Sequence, residues 1–310
     1  MAKKQEEVIR GAEVTNEGNR AVNKFRVSDF FMMAFIIILC LTCVLPFIHL
    51  AAKSISGNSY VVGQQVSFWP KGINFDAYVS IFKDGGLTYA MVYSVFVTLI
   101  FTVLGMVACT CAAYPLSKKR LKGRTFFTFL LMFPMYFGAG LIPTYMLLYD
   151  LNLLDTMWVL ILPLIYSPYN MLIMKTSLQT SIPDSLEESA FLDGATNFQI
   201  LTKIVLPLSK PIIATLSLFY AVGRWNSYSD NIYYIRTKQN LYMAQYKLSQ
   251  MVSSAADAQT ASLSEGVAVT STPEVLQAAA IMIVTVPILC IYPFVQKYFV
   301  KGVMIGAVKG

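Results

Sequence analysis

A chain of 310 residues that is 56% hydrophobic and only 13% charged, with a mean hydropathy of +0.57, carries more apolar surface than one soluble core can hide. Soluble domains hold about a quarter charged residues, so lipid must be the solvent for much of this chain. Its 24 Lys and Arg exceed its 17 Asp and Glu. They lie beside apolar runs, as membrane topology demands, and form no basic face with interleaved aromatics, so no nucleic-acid partner is expected.

Residues 1–27 are polar and charged, with no small-residue cleavage site after the first apolar run. They read as a flexible cytoplasmic tail and not as a cleaved signal. Six apolar segments follow, near Phe30–Ala52, Leu87–Leu116, Thr125–Leu148, Met157–Leu178, Pro211–Tyr228 and Pro273–Phe299. A spanning helix needs about 20 residues at 1.5 Å each, so the expectation is an all-α polytopic membrane protein of six transmembrane helices over 28–300. The fifth segment is the shortest. Pro46, Pro134, Pro143, Pro163 and Pro287 lie inside these runs and predict kinks, because neighbouring helices satisfy the freed carbonyls. With both termini in the cytoplasm, 17 Lys and Arg fall inside and 7 outside, which supports that orientation. Two outer segments are long. Residues 53–86 mix Gly, Ser, Pro and aromatics. Residues 229–272 begin aromatic and end rich in Ser, Ala and Thr, too polar to bury, which predicts mobility or ordering by a partner. Ser271 and Glu274 read as the cap of the last helix.

The five cysteines, Cys40, Cys43, Cys109, Cys111 and Cys290, all lie in apolar runs at spacings that suit neither a metal site nor a disulfide framework. They read as small apolar packing residues. No Gly-rich phosphate loop occurs, so the chain is not itself expected to be an ATPase. The one histidine, His49, excludes a His-pair metal site, and no Asp or Glu lies deep in a span, against a proton relay. No cofactor and no metal are expected.

The connection between the fourth and fifth spans, residues 181–211, has an unusual design. Pro183 can open a helix, with Asp184 and Glu187 as a capping pair. Leu186, Ala190 and Phe191 share a face. Gly194 can supply the positive φ that ends a helix. Thr196 can cap a second helix containing Phe198, Ile200, Leu201 and Ile204, which Pro207 and Pro211 terminate. An apolar surface on a short helix–turn–helix outside the membrane needs a cover. A docked protein is one reading, and a helix lying on the lipid surface is the other.

The run Glu188-Ser189-Ala190, Asp193-Gly194-Ala195, then Leu206-Pro207 and Pro211 resembles the EAA motif of ABC importer permeases, in which Ser189 replaces the usual Ala. The ending Gly306-Ala307-Val308-Lys309-Gly310 is similar to the G-x-V-K-G tail of the sugar-importer subgroup, which includes maltose-type permeases. The resemblance covers most of the chain from about residue 30, leaving aside 250–272. It implies a type I ABC importer permease fold in the bacterial cell membrane. It also implies a second homologous permease as heterodimer partner, two cytoplasmic ATPase subunits, and an extracellular sugar-binding lipoprotein or periplasmic binding protein. The substrate would be a sugar, with an oligosaccharide expected. Glu187, Glu188, Ser189, Ala190, Asp193, Gly194, Ala195, Leu206 and Pro207 would then couple to an ATPase, and Val308 and Lys309 in the 301–310 tail would assist.

Trp225, Asn226, Tyr228 and Asp230, with Tyr233 and Tyr234, have the aromatic and polar composition of a sugar pathway. An interfacial aromatic belt is the competing reading. The long outer loop would dock the binding protein. Two other classes fit less well. An ion-driven transporter half would need buried ionisable groups. A membrane-embedded transferase would need an acidic or His constellation, for which only Asp150 and Asp155 qualify, and those suit turns better.

Overall fold

A computed structural model describes residues 27–265 and 273–307, and the side chains of 28–254 and 273–293. The described residues are helical throughout, with one isolated bridge between Ser56 and Ile73 and no strand. Helices are α1 (Val27–Ser54), α2 (Asn58–Val62), α3 (Asp76–Asp84), α4 (Gly86–Ser117), α5 (Arg124–Tyr136) and α6 (Leu141–Asp150). Two 3-10 turns follow, Met157–Leu160 and Leu162–Leu164, and then α7 (Pro168–Ser181) and α8 (Asp184–Leu192). The rest are α9 (Asn197–Ile200), a π turn at Leu201–Val205, α10 (Leu206–Leu208), α11 (Lys210–Asn226), α12 (Ser229–Tyr234), α13 (Ala244–Glu265) and α14 (Pro273–Ala307).

The chain divides into two compact units, residues 1–49 and 50–310. In the first, the described part is the N-terminal stretch of α1, apolar from Phe30 to Phe47. The second holds everything else.

Three helices, Ser28–Ser54, Gly86–Ser117 and Pro273–Pro293, are long and apolar enough to cross a membrane unaided. Three bent pairs bring the total to six if each counts as one span: α5 with α6 at 110°, the 3-10 turns with α7 at 50°, and the α9–α10 stretch with α11 at 83°. The six-span expectation therefore holds in number. What differs is continuity. The third span breaks over Phe137–Gly140, between Pro134 and Pro143, where Gly140 takes φ +84. Pro134 sits within α5, so proline alone does not make this break; a Gly-Ala-Gly stretch with a left-handed residue does. In the fourth span Pro163 lies in a 3-10 turn, and Ser167 restarts the helix by accepting from the Asn170 N–H.

Two apolar clusters make the interior of the second unit. The larger joins α4, α7 and α11 through Val97, Phe101, Cys109, Met171, Met174, Leu178, Leu216 and Tyr220. The smaller gathers Val61, Ile81, Leu87, Trp225, Ala244, Ala279 and Val284. At the α4–α11 contact the Tyr220 ring lies against Gly105, and a Cβ there would come within 2.7 Å of it. Tyr220 also packs on Phe101, with ring centroids 5.7 Å apart.

One expectation needs correction. The polar stretch within 229–272 forms helix α13 as far as Glu265, anchored at its start by the buried Met243 and Ala244; residues 266–272, with Ser271, lie outside the described residues. Glu274 meets Lys53 at 2.6 Å. At the Gly-rich end α14 continues to Ala307. Propagating an established 35-residue helix costs far less than nucleating a new one.

The close approach at Gly105 gives a direct test. Replacing Gly105 with Ala should destabilise the purified protein by about 1–3 kcal/mol, as overpacking does, and Val should cost more. Thermal unfolding in detergent measures both.

Candidate functional site

The 181–211 connection folds as the sequence suggests, and its turn is chemically complete. Gly194 takes φ +81. Its N–H donates to the Phe191 carbonyl, and the Ala195 N–H reaches back to the Ala190 carbonyl, each at 3.0 Å. This pair of bonds is a Schellman motif. It explains the small residues of the motif: Ala190 and Ala195 meet where the chain doubles back, with Ala190 buried. Thr196 then caps α9, accepting from the Gln199 N–H while the Gln199 side chain accepts from the Thr196 N–H. That reciprocal pair fixes the angle between the two short helices. Pro207 has no N–H for the Lys203 carbonyl, and the preceding turn widens into a π turn in which Leu206 N–H bonds to Leu201.

The candidate residues divide by face. Glu188, Ser189 and Asp193 are exposed, beside Leu192 at 89% and Phe198 at 72% exposure. Ser189 Oγ bonds its own helix at the Ser185 carbonyl, 3.0 Å away. Leu206 is half-buried and Pro207 exposed. Glu187 faces the other way and corrects an expectation. No side chain caps α8 at Pro183, and Glu187 is buried in an ion pair with Lys118, from the loop between α4 and α5. Two facing charges with both side chains under 10% exposed have no water to fall back on, so removing one partner typically costs about 3–5 kcal/mol. Asp184 is exposed, and the Lys119 ammonium at 2.9 Å holds its carboxyl below the usual carboxylate range.

The second set of candidates is not brought to one surface. Trp225 is buried in the smaller apolar cluster. Asp230 accepts from Arg224 at 2.7 Å and from Ser227 at 2.9 Å. Arg224, one of the seven basic residues counted outside, is 1% exposed and also bonds the Leu160 carbonyl. Asn226 and Tyr228 are exposed, and Tyr234 is buried. Val308 and Lys309 lie outside the described residues.

Asp155 acts as the turn residue expected of it and does one thing more. With φ +55, it accepts from the Arg236 and Thr237 N–H groups at 2.7 and 3.0 Å, stapling its own turn to the segment after α12. Partial burial pushes its carboxyl up, but the bonds from Thr237 and Arg236 outweigh that and leave it below the ordinary range. Lys118, Arg224 and Asp155 are the residues that sequence reasoning missed or undervalued. Their partners lie 69, 64 and 81 positions away, beyond any local pattern.

A Cβ at Gly194 would meet nothing within 4 Å, so substitution there tests backbone strain alone. Gly194→Ala should cost about 1–2 kcal/mol and speed amide exchange at residues 194 and 195 by about 5- to 30-fold. Hydrogen-exchange mass spectrometry of the 184–200 segment reads this directly.

Comparison with known proteins places this geometry. Residues 102–305 match the family model described as "Binding-protein-dependent transport system inner membrane component". The chain is 40% identical over 287 residues to the polygalacturonan/rhamnogalacturonan transport system permease protein YtcP of Bacillus subtilis, covering 93% of this chain and 100% of that one. It is 30% identical over 293 residues to the galactooligosaccharides transport system permease protein GanQ of the same organism, covering 91% and 95%. The fold matches a chain of a bacterial ABC transporter involved in the import of the acidic polysaccharide alginate, with a TM-score of 0.81 and 30% identity over 89% of this chain and 98% of that one. The matched region contains the whole 181–211 turn, so the chain belongs to the binding-protein-dependent transport system inner membrane components, the multi-pass permeases of ABC importers.

Proposed function

We propose that this permease imports an oligosaccharide, driven by ATP hydrolysed on two partner subunits. In this reading a binding protein delivers the substrate on the outside, and the 181–211 loop couples ATPase closure to alternating access. Support for the substrate class comes from the relatives, named for polygalacturonan/rhamnogalacturonan and galactooligosaccharides. A second, homologous permease completes the pathway as a heterodimer.

One observation carries the coupling role. Glu188 is exposed one turn before the exposed Leu192, with Phe198 also exposed on the next short helix, on a turn whose other face is fixed by the Schellman motif and a buried ion pair. A protruding acid beside apolar knobs on a preorganised element suits a protein groove, because little ordering entropy remains to be lost on docking. The alternative, a helix resting on lipid, suits it less: Glu187 and Glu188 are adjacent and Lys is sparse in the loop. The positive-inside distribution supports a cytoplasmic position for this loop and both termini, within reach of the ATPase. The C-terminal tail, with Val308 and Lys309, assists the same coupling.

Outside, we assign binding-protein docking to the loop 229–272. Its aromatic Tyr233 is exposed, and α13 is rooted at the buried Met243 and Ala244. Asn226 and Tyr228 remain the pathway candidates.

Glu188→Lys should abolish sugar uptake and ATPase co-purification in detergent while leaving membrane insertion intact, because the loop lies between spans. Normal uptake by that variant would defeat the docking assignment. Removing residues 250–264 should weaken the stimulation of ATP hydrolysis by loaded binding protein without releasing the ATPases. Undiminished stimulation would move the docking surface to residues 53–86.

A further inference from the structure

Four consecutive residues where α4 ends hold the last turn of α7 and three parts of the coupling loop. The Ser117 carbonyl accepts from Gln179 Nε2 on the last turn of α7, at 3.3 Å. Lys118 Nζ pairs with Glu187 in the middle of α8. Lys119 Nζ meets Asp184 at the start of α8, at 2.9 Å. Arg120 donates to Asn197 Oδ1 on α9, and its guanidinium lies 4.3 Å from the Phe191 ring centroid. The partners are 62 to 77 positions away, so none of this is a consequence of chain proximity.

The loop is covalently joined to α7 and α11, and both belong to broken spans, bent by 50° and 83°. A bend absorbs displacement. By contrast α4 is continuous from Gly86 to Ser117. Near its other end the Ser94 hydroxyl accepts the Ala244 N–H at 2.7 Å, with both residues 1% exposed, and so satisfies one of the free amides at the start of α13. One unbroken helix thus touches the coupling loop and, about 35 Å away along its axis at 1.5 Å per residue, the root of α13.

We propose that residues 117–120 are a positioning linkage that ties the coupling loop to α4, and that α4 carries the loop's movement across the membrane to α13. The inference rests on the reading of 181–211 as the ATPase-docking loop. Lys118 is the central positioning residue. It touches neither sugar nor nucleotide, but a buried charge cannot leave its partner without being stranded, so α4 and α8 move together. Lys119 and Arg120 add contacts at the two flanks of the loop, which resist its rotation about that single point.

The test uses the assembled importer in proteoliposomes and reads two quantities at equal ATPase content: sugar uptake, and the stimulation of ATP hydrolysis by loaded binding protein. Lys118→Met should lower stimulation and uptake about tenfold while the ATPases still co-purify. Lys118→Glu combined with Glu187→Lys should recover stimulation to within about threefold of the parent, since the swap restores the pair. Ser94→Ala, at the far end of α4, should lower stimulation without releasing the ATPases. Parental stimulation in Lys118→Met, or a charge swap no better than the single variant, would overturn the linkage. If Lys118→Met fails to accumulate, Lys119→Glu takes its place, because that side chain is 82% exposed. It should lower stimulation about threefold, with recovery on adding Asp184→Lys, and no change would overturn the proposal. Glu188→Lys separates the two readings. If it keeps ATPase binding and uptake, the docking reading fails; if it loses both while Lys118→Met is stimulated normally, the linkage alone fails.

Discussion

Hydrocarbon offers a peptide group no hydrogen-bond partner, and the shape of this permease follows from how it meets that constraint. Where the chain crosses unaided, as in α1, α4 and α14, the backbone bonds stay inside one helix. Where a span is broken, the loose groups need protein around them. The fourth span shows how this is arranged: Ser167 accepts from the Asn170 N–H as the helix restarts, and the Tyr166 hydroxyl, one residue before, donates to the Leu131 carbonyl of α5. Two of the breaks lie against packed protein, at the half-buried Ser167 and the buried Ser209, whereas the break over Phe137–Gly140 is exposed.

Much of this architecture was legible from the residues alone, because it rests on local chemistry. Six apolar runs become six spans. Gly194 takes the left-handed conformation its position demanded, and Thr196 with Gln199 makes the cap that Thr and Gln three apart suggest. The failures share one cause. Glu187 three residues after Asp184 has the look of a capping residue, and only the folded chain shows that Lys118 claims it. Arg224 looked like one more outer charge, yet it is drawn inside by Asp230 and the Leu160 carbonyl. A polar tract rich in Ser and Ala looked like loop because its composition cannot form a core; α13 is held by its few apolar residues, Ala244, Leu248 and Met251, which pack into the smaller apolar cluster with α14.

The candidate sites differ in how far sequence could take them. The 181–211 turn proposed for coupling is a contiguous motif, so its residues could be named and their faces then assigned. The residues proposed for a sugar pathway form no such motif. Of the aromatic and polar residues singled out after the fifth span, Trp225 and Asp230 belong to the packing and electrostatics of the interior, and Asn226 and Tyr228 face outward. Composition could not distinguish these, because Trp and Asp suit a buried ion-pair shell as well as a sugar face.

The bond between Ser94 and Ala244 has a consequence for how the protein is made. Its two ends are 150 residues apart. At a synthesis rate of about 5–20 residues per second, Ser94 waits about 8–30 s after leaving the ribosome before its partner exists. During that interval its hydroxyl can turn to a carbonyl of its own helix, as serines in membrane helices do. The root of α13 then takes it over, so α4 reaches its final surroundings only after a segment 150 residues downstream has been made.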